Sequence, residues 1–292
     1  MLRDRRVAIL LVASVVGLAV LLAALIGLGA DDRVITGAPA WLKPLKFGVS
    51  IAVYTATLAW LLTLVEGHWW LVRLVAWTTG AALIAEFVLL LIQVVRGTTS
   101  HFNTASPFDA AVFRAMGGLI TAVFLAAAVA ALLLALQRGL PPVLASGIRG
   151  GLLVSLLGMA AAVLMLANTG IDPGGAHTVG ALDGGPGLPL TGWSTEHGDL
   201  RVPHFVGLHG LQALPLLAWA LTRYAGALTE RTQVLLVRLG STACAGVVVL
   251  LAWQAERGLP LLRPDAAVSL VGAAGALAVG AVASLLVVRG RR

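Results

Sequence analysis

Residues 74–95 read LVAWTTGAALIAEFVLLLIQVV, an apolar stretch that contains a single charged residue, Glu86. A helix rises about 1.5 Å per residue, so about 20 apolar residues cross the roughly 30 Å hydrocarbon core of a bilayer. Strands of a membrane barrel would instead alternate apolar and polar residues in shorter segments. This stretch therefore predicts a membrane-spanning helix.

Seven further stretches are also long and apolar, and together the eight stretches predict the fold of the whole chain. The chain of 292 residues is 59% hydrophobic and only 11% charged, whereas soluble domains carry about 25% charged residues. We therefore predict an all-α fold, a polytopic transmembrane helical bundle that forms a single domain over residues 1–292. The eight predicted spans are residues 7–29, 43–65, 74–95, 108–136, 149–169, 203–222, 232–253 and 266–288.

The charged residues predict the orientation of the spans. With a cytoplasmic N-terminus, most of the 20 basic residues lie on the inner side and most of the 13 acidic residues on the outer side. Basic residues favour cytoplasmic loops, so both termini are expected in the cytoplasm. The first span is longer than the roughly 7–15 apolar residues of a signal peptide, which favours a retained anchor.

The net charge of +7 also bears on possible partners. The cations are distributed over short loops beside helix ends, where anionic lipid explains them. The lipid bilayer is therefore the expected partner, and nucleic-acid binding is excluded; the oligomeric state is left open. One connection is much longer than the others, a Gly/Pro-rich loop at about 170–202 that is expected outside the cytoplasm. Loops of this length are often functional lids.

Five predicted spans carry ionisable and amide residues mainly at the outer end. In the second span, polar residues recur at three- and four-residue intervals and share one helix face. They are Lys43, Lys46, Ser50, Tyr54 and Thr57. This stripe is expected to face the bundle interior, and the alternative for the lysines is extension to the lipid headgroups.

Glu86 is the deepest acid of the chain, about 15 Å below the predicted outer surface. An acid within a span is costly and marks a functional site by default. We predict that Glu86 serves as a general acid/base or as a proton carrier. The alternative is a structural ion pair with Arg114 or Lys46.

Together, the outer polar residues predict one outward-facing pocket. Its catalytic candidates are Glu86, His101 and His209. Its candidates for binding a small-molecule or lipid-soluble ligand are Lys46, Tyr54, Gln93, Arg96, Asn103, Arg114, Arg201 and Gln212. The cofactor is left open.

The histidines predict a binding site for a divalent metal. A haem bound by His209 is the weaker alternative. The candidate metal ligands are His101, His204 and His209. His204 and His209 lie about 140° apart around a regular helix, so they share a metal only if the first turn is looser.

Four segments resemble a widespread family of bacterial multi-pass membrane proteins of uncharacterised function. They are WLKPLKF (41–47), RGTTSHFN (96–103), DGGPGLPLTGWS (183–194) and GDLRVPHFVGLHGLQ (198–212). The resemblance extends over most of the chain and implies the bacterial cytoplasmic (inner) membrane. It implies no activity, cofactor or catalytic residue.

Three functions fit this pattern. The first is a membrane-embedded enzyme, with or without a metal, that acts on a lipid-soluble or extracytoplasmic small molecule and uses residues 170–202 as a lid. The second is a proton- or ion-coupled carrier of small solutes with Glu86 in its relay. The third is a structural or sensory subunit without catalysis. The one-sided distribution of polar residues favours the enzyme, because a carrier needs polar groups on both sides of the midplane.

Overall fold

The computed structural model describes residues 4–172 and 174–291. Within this part of the chain, eight helices are long and apolar enough to cross a membrane, so the predicted spans and the all-α fold are confirmed. They are α1 (Ala8–Ala30), α2 (Leu42–Thr63), α3 (Trp69–Val95), α4 (Pro107–Leu136), α5 (Pro142–Ala167), α6 (Arg201–Tyr224), α7 (Glu230–Glu256) and α8 (Ala266–Arg289).

The remaining regular structure is small. A 3-10 turn, Arg5–Val7, precedes α1. The short strands β1 (Val34–Ile35) and β2 (Ala38–Pro39) form an antiparallel pair, and β3 (Thr178–Val179) and β4 (Gly198–Asp199) form another. The cytoplasmic placement of both termini stays a prediction.

Two helix starts differ from their predictions. Helix α3 begins at Trp69 instead of near residue 74, and helix α5 begins at Pro142 instead of near residue 149. Proline suits the first turn of a helix, because its missing N–H removes no intrahelical hydrogen bond there. The polar residues that follow it therefore belong to the helix and not to the preceding loop.

Contacts divide the chain into two compact units. Unit 1 consists of Met1–Leu134, Asp172–Gly175 and Asp183–Gly192. Unit 2 consists of Ala135–Ile171, Ala176–Leu182 and Trp193–Arg292. The long loop at 170–202 thus contributes segments to both units, and the single domain stays a prediction.

In unit 1, glycines let α1 approach α2 and α3 closely. A Cβ atom added to Gly48 would lie 2.9 Å from the carbonyl oxygen of Gly17, so these two helix backbones touch. A Cβ atom on Gly80 would lie 2.8 Å from Cγ1 of Ile9. Small residues are the usual means of close helix packing in membranes.

In unit 2, the tightest packing joins α5 to α6. A Cβ atom on Gly207 would lie 2.3 Å from the Cα atom of Gly158, and one on Gly151 would lie 2.8 Å from the carbonyl oxygen of Gly210. By contrast, α8 buries one residue, Val268, among its described residues. The remaining apolar surface of α8 is suited to contact with lipid, because the hydrocarbon core around a span is apolar.

Candidate functional site

Glu86 stands in the middle of α3 with no exposed surface. Neither of its carboxyl oxygens has a hydrogen-bond partner among the described residues, so the alternative, a structural ion pair with Arg114 or Lys46, is not formed among them. Buried polar groups are nearly always hydrogen-bonded, and the exceptions call for an explanation. The carboxyl group of Glu86 therefore contributes no hydrogen bond to the described part of unit 1.

Lys43 and His101 form a polar pair between the start of α2 and the α3–α4 connection. The Nζ atom of Lys43 lies 3.2 Å from Nδ1 of His101, and Oγ of Ser100 lies 2.9 Å from the same nitrogen. An ammonium group only donates, so Nδ1 accepts and the proton of the neutral ring lies on Nε2. The predicted catalytic residue His101 is thus bound to Lys43 and Ser100.

Gln93, Arg96 and Asp109 form a closed network at the ends of α3 and α4. Gln93 donates from Nε2 to Oδ1 of Asp109 at 2.8 Å, and Arg96 donates to both Gln93 and Asp109. Ser106 donates to Oδ2 of Asp109 at 2.5 Å and accepts from its backbone N–H, which caps α4. The guanidinium of Arg96 also lies over the ring of Phe108, 4.5 Å from its centre. These contacts hold the α3–α4 connection in place.

Two other ligand-binding candidates of unit 1 hold loops. The side-chain amide of Asn103 donates to Thr98 and to the backbone of Thr99, and its oxygen accepts from Ala105. Lys46 donates from Nζ to the carbonyl oxygen of Thr191 at 2.9 Å. Asn103 therefore has no amide hydrogen left to donate to a ligand, while Lys46 fixes the loop segment Asp183–Gly192.

Tyr54 and Arg114 remain without a hydrogen-bond partner among the residues that the structure describes. Tyr54 is half-buried on α2, and Arg114 is exposed on α4. On the polar stripe of α2, Ser50 is exposed as well, whereas the residues that pack inside the unit belong to another face, with Gly48 and Thr55. Within unit 1, the stripe is thus turned partly away from the packed core.

In unit 2, Arg201 forms an ion pair with the buried Asp199. Its Nη2 atom lies 2.5 Å from Oδ2 of Asp199, and its Nε atom lies 2.9 Å from Oδ1. Asp199 also accepts the backbone N–H of Ser194 at 2.8 Å. This carboxylate joins the end of the long loop to the start of α6.

Sequence reasoning missed this ion pair, although the chain contains a signal for it. Asp4 and Arg6, Asp31 and Arg33, and Asp199 and Arg201 share the spacing Asp-x-Arg and form the same two-residue ion pair. In each, the arginine donates its backbone N–H and its guanidinium to the aspartate. The spacing predicts such pairs locally, because both residues belong to one turn.

The pairs outside the spans have a clear electrostatic effect. Hydrogen bonds from the guanidinium of Arg33, and then from the indole of Trp41, lower the pKa of Asp31 well below its usual range. The guanidinium of Arg6 likewise lowers the pKa of Asp4. Arg33 also donates to the carbonyl oxygen of Val95 at 3.1 Å, which joins the α1–α2 connection to the end of α3.

His204 and His209 point in different directions from α6. His204 donates from Nδ1 to the carbonyl oxygen of Gly158 on α5 at 2.8 Å. His209 donates from Nδ1 to the carbonyl oxygen of Phe205 at 2.8 Å and lies against the Phe205 ring, with 4.1 Å between ring centres. Because α6 is regular from Arg201 onward, the structure does not bring the two imidazoles onto one face.

Both histidines nevertheless have the orientation of metal-binding side chains. A carbonyl oxygen only accepts, so Nδ1 of each ring carries the proton and Nε2 holds the lone pair. Histidine ligands in proteins are commonly oriented by such a hydrogen bond. Among the described residues, no group of three or more His, Cys, Asp or Glu side chains is arranged to hold a metal ion. The metal site and the single pocket that would combine residues of both units stay predictions.

The eight apolar helices define the class of this chain, an integral membrane protein. Comparison with models of protein families, with curated proteins and with solved structures finds no match. A functional proposal therefore depends on the side chains of the two described units.

Proposed function

We propose that the protein is a membrane-embedded enzyme that acts on a lipid-soluble or extracytoplasmic small molecule, with Glu86 as its acid/base group. One observation carries this proposal: Glu86 is fully buried within a span, and neither carboxyl oxygen has a hydrogen-bond partner in the part of the chain that the structure describes. An unpaired ionic carboxylate is strongly disfavoured in such surroundings, so the protonated form is the resting form. A carboxylic acid with no structural hydrogen bond is available to donate its proton and to take it back.

Polar residues at the outer end of the span support the same role. Lys43 and His101 lie together there, with 3.2 Å between Nζ and Nδ1, next to Ser100. Tyr54 and Arg114 are the remaining ligand-binding candidates of unit 1, since no hydrogen bond within the described residues occupies them.

A second candidate function, a proton-coupled carrier, is favoured by one specific observation. The hydroxyl of Thr79 is fully buried on α3 and, like the carboxyl of Glu86, has no hydrogen-bond partner among the residues described. Thr79 lies closer to the opposite end of α3. Within the spans, charged residues lie mainly at the outer end, and a carrier also needs polar groups on the other side of the midplane. Thr79 is such a group.

For the location, we propose the bacterial cytoplasmic membrane with both termini in the cytoplasm. Two features support this: the resemblance of four segments to bacterial multi-pass proteins, and the excess of arginine on one side of the spans. Glu86 and His101 would then lie toward the outer leaflet, where an extracytoplasmic substrate enters.

The protonation of Glu86 is tested with dicyclohexylcarbodiimide, an apolar reagent that adds to protonated carboxyl groups. We expect peptide mass spectrometry to find the adduct on Glu86 of the protein in mild detergent, and to find none there in Glu86→Gln. Asp109 is expected to stay unmodified, because Gln93, Arg96 and Ser106 occupy its oxygens. A Glu86 carboxyl that reacts only after unfolding in sodium dodecyl sulfate contradicts the proposal.

The enzymatic role is tested by the small molecules of cells that produce the protein. We expect untargeted mass spectrometry of lipid and extracellular extracts to show one compound depleted and another enriched when the wild-type chain is produced. Cells with Glu86→Gln at equal membrane abundance should resemble cells without the protein. Equal extracts from wild-type and Glu86→Gln cells would contradict catalysis by Glu86 and would favour a structural or sensory subunit.

A further inference from the structure

Thr79 differs from five other threonines in the spans. The hydroxyls of these five donate to the carbonyl oxygen four residues earlier in the same helix, a common arrangement for threonine in membrane helices. They are Thr55, Thr57, Thr121, Thr222 and Thr242, with distances from 2.7 to 3.1 Å. Thr79 makes no such bond, although it has no exposed surface and its oxygen has no other partner among the described residues.

Thr79 and Glu86 lie on the same face of α3. They are separated by seven residues, or two helical turns, so their axial separation is about 10 Å. Thr79 lies toward the Trp69 end of α3 and Glu86 toward the Val95 end, so the pair spans the middle of the helix. These two residues contribute all three buried side-chain oxygens without a partner among the described residues.

Two apolar side chains of the same part of α3 are also buried. Leu83 and Phe87 are 5% and 1% exposed. A buried polar group without a hydrogen bond is costly, and proteins commonly satisfy such groups with internal water. Water requires several polar partners, and a line of waters between Thr79 and Glu86 would have a polar group at each end.

We propose that Thr79 and Glu86 are the ends of an internal water track in unit 1, through which protons reach Glu86 from the Trp69 end of α3. This inference rests on the proposed role of Glu86 as a group that binds and releases a proton. In each transfer, the carboxyl gives its proton to one water or substrate oxygen, and a proton arriving along the track restores the acid. No oxidant or reductant is needed, and Glu86 exchanges protons with both ends of α3.

The track is tested by proton movement across vesicles that contain the purified protein. Vesicles of phosphatidylethanolamine and phosphatidylglycerol enclose a pH-sensitive dye, and a potassium gradient with valinomycin drives proton entry. We expect wild-type protein to raise proton entry above that of protein-free vesicles. The substitution Thr79→Val, which replaces the hydroxyl with a methyl group of similar size, should lower the protein-dependent rate by about tenfold or more. Glu86→Gln should lower it at least as much.

Two further variants separate the hydroxyl from general effects on folding. Thr79→Ser keeps the hydroxyl and should retain the wild-type rate. Thr121→Val removes a hydroxyl that donates to its own helix at Gly117, and it should also retain the wild-type rate. Equal loss in Thr79→Ser and Thr79→Val would overturn the track, because the hydroxyl would then not be responsible.

The test also separates the track from the proposed function. Wild-type vesicles no more permeable than protein-free ones would overturn the track, and so would an unchanged rate in Thr79→Val. In either case, carbodiimide labelling of Glu86 would still support the proposed acid/base role. Absence of that labelling would overturn the proposed function and, with it, the basis of the track.

Discussion

Replacing Glu86 with methionine is expected to raise the stability of the protein while it abolishes the proposed proton exchange. Methionine has a similar length, and its thioether needs no hydrogen bond. The wild-type carboxyl has no partner within residues 4–172 and 174–291, so the substitution breaks no hydrogen bond of this part of the chain. Relief of an unsatisfied buried polar group is worth about 1–3 kcal/mol on scales from protein substitutions. Water along the proposed track would reduce this gain but would not reverse it.

The measurement is the melting temperature in mild detergent, with Asp109→Asn as the matched control. Asp109 is also a buried carboxyl in a span, but its oxygens accept from Gln93, Arg96 and Ser106. Its substitution should lower the melting temperature, because charged hydrogen bonds to a remaining guanidinium are lost. A lower melting temperature for Glu86→Met would identify Glu86 as a structural residue and contradict its proposed role.

The substitution Gly207→Ala is expected to cause a large loss of stability in unit 2. The added Cβ would lie 2.3 Å from Cα and 2.8 Å from N of Gly158, and these backbone atoms cannot turn aside as a flexible side chain can. Helices α5 and α6 must therefore move apart, at a cost of about 1–3 kcal/mol or more. The hydrogen bond from His204 to the carbonyl oxygen of Gly158 would be weakened by the same movement.

A second glycine of unit 2 provides the control for this prediction. A Cβ atom on Gly246 of α7 would meet nothing within 4 Å in the structure, so Gly246→Ala should leave the melting temperature unchanged or raise it slightly. Alanine favours helix over glycine by about 1 kcal/mol in water. Equal melting temperatures for Gly207→Ala and wild type would contradict the close approach of α5 and α6 at Gly158 and Gly207.

The spans were predictable because hydropathy is a local property. A run of about 20 apolar residues must form a helix in lipid, where each backbone group needs a partner within the segment. The stretch 74–95 therefore became α3 whatever its neighbours are. The ion pair of Asp199 with Arg201 was predictable in the same way, since its spacing recurs in Asp31 and Arg33.

The partners of the polar residues were not predictable from their positions along the chain. Sequence placed Glu86, Gln93 and Arg96 on one stripe of α3, yet Gln93 and Arg96 bind Asp109 whereas Glu86 binds no described residue. Asn103 was a candidate for ligand binding, and its amide instead bonds within its own loop. A partner depends on which side chain of another segment lies within about 3 Å, and helical periodicity does not contain that information.

The sequence by itself determined that eight helices form, where most of them begin and end to within a few residues, and which one carries the deepest acid. Tertiary structure alone decided that the side chains of Glu86 and Thr79 lack partners among the described residues, and that Gly158 and Gly207 meet where α5 and α6 touch. The physical reason is the range of the forces. Transfer of an apolar run into lipid is a sum over single residues, whereas satisfaction of a hydrogen bond and contact between backbones depend on the register of two helices.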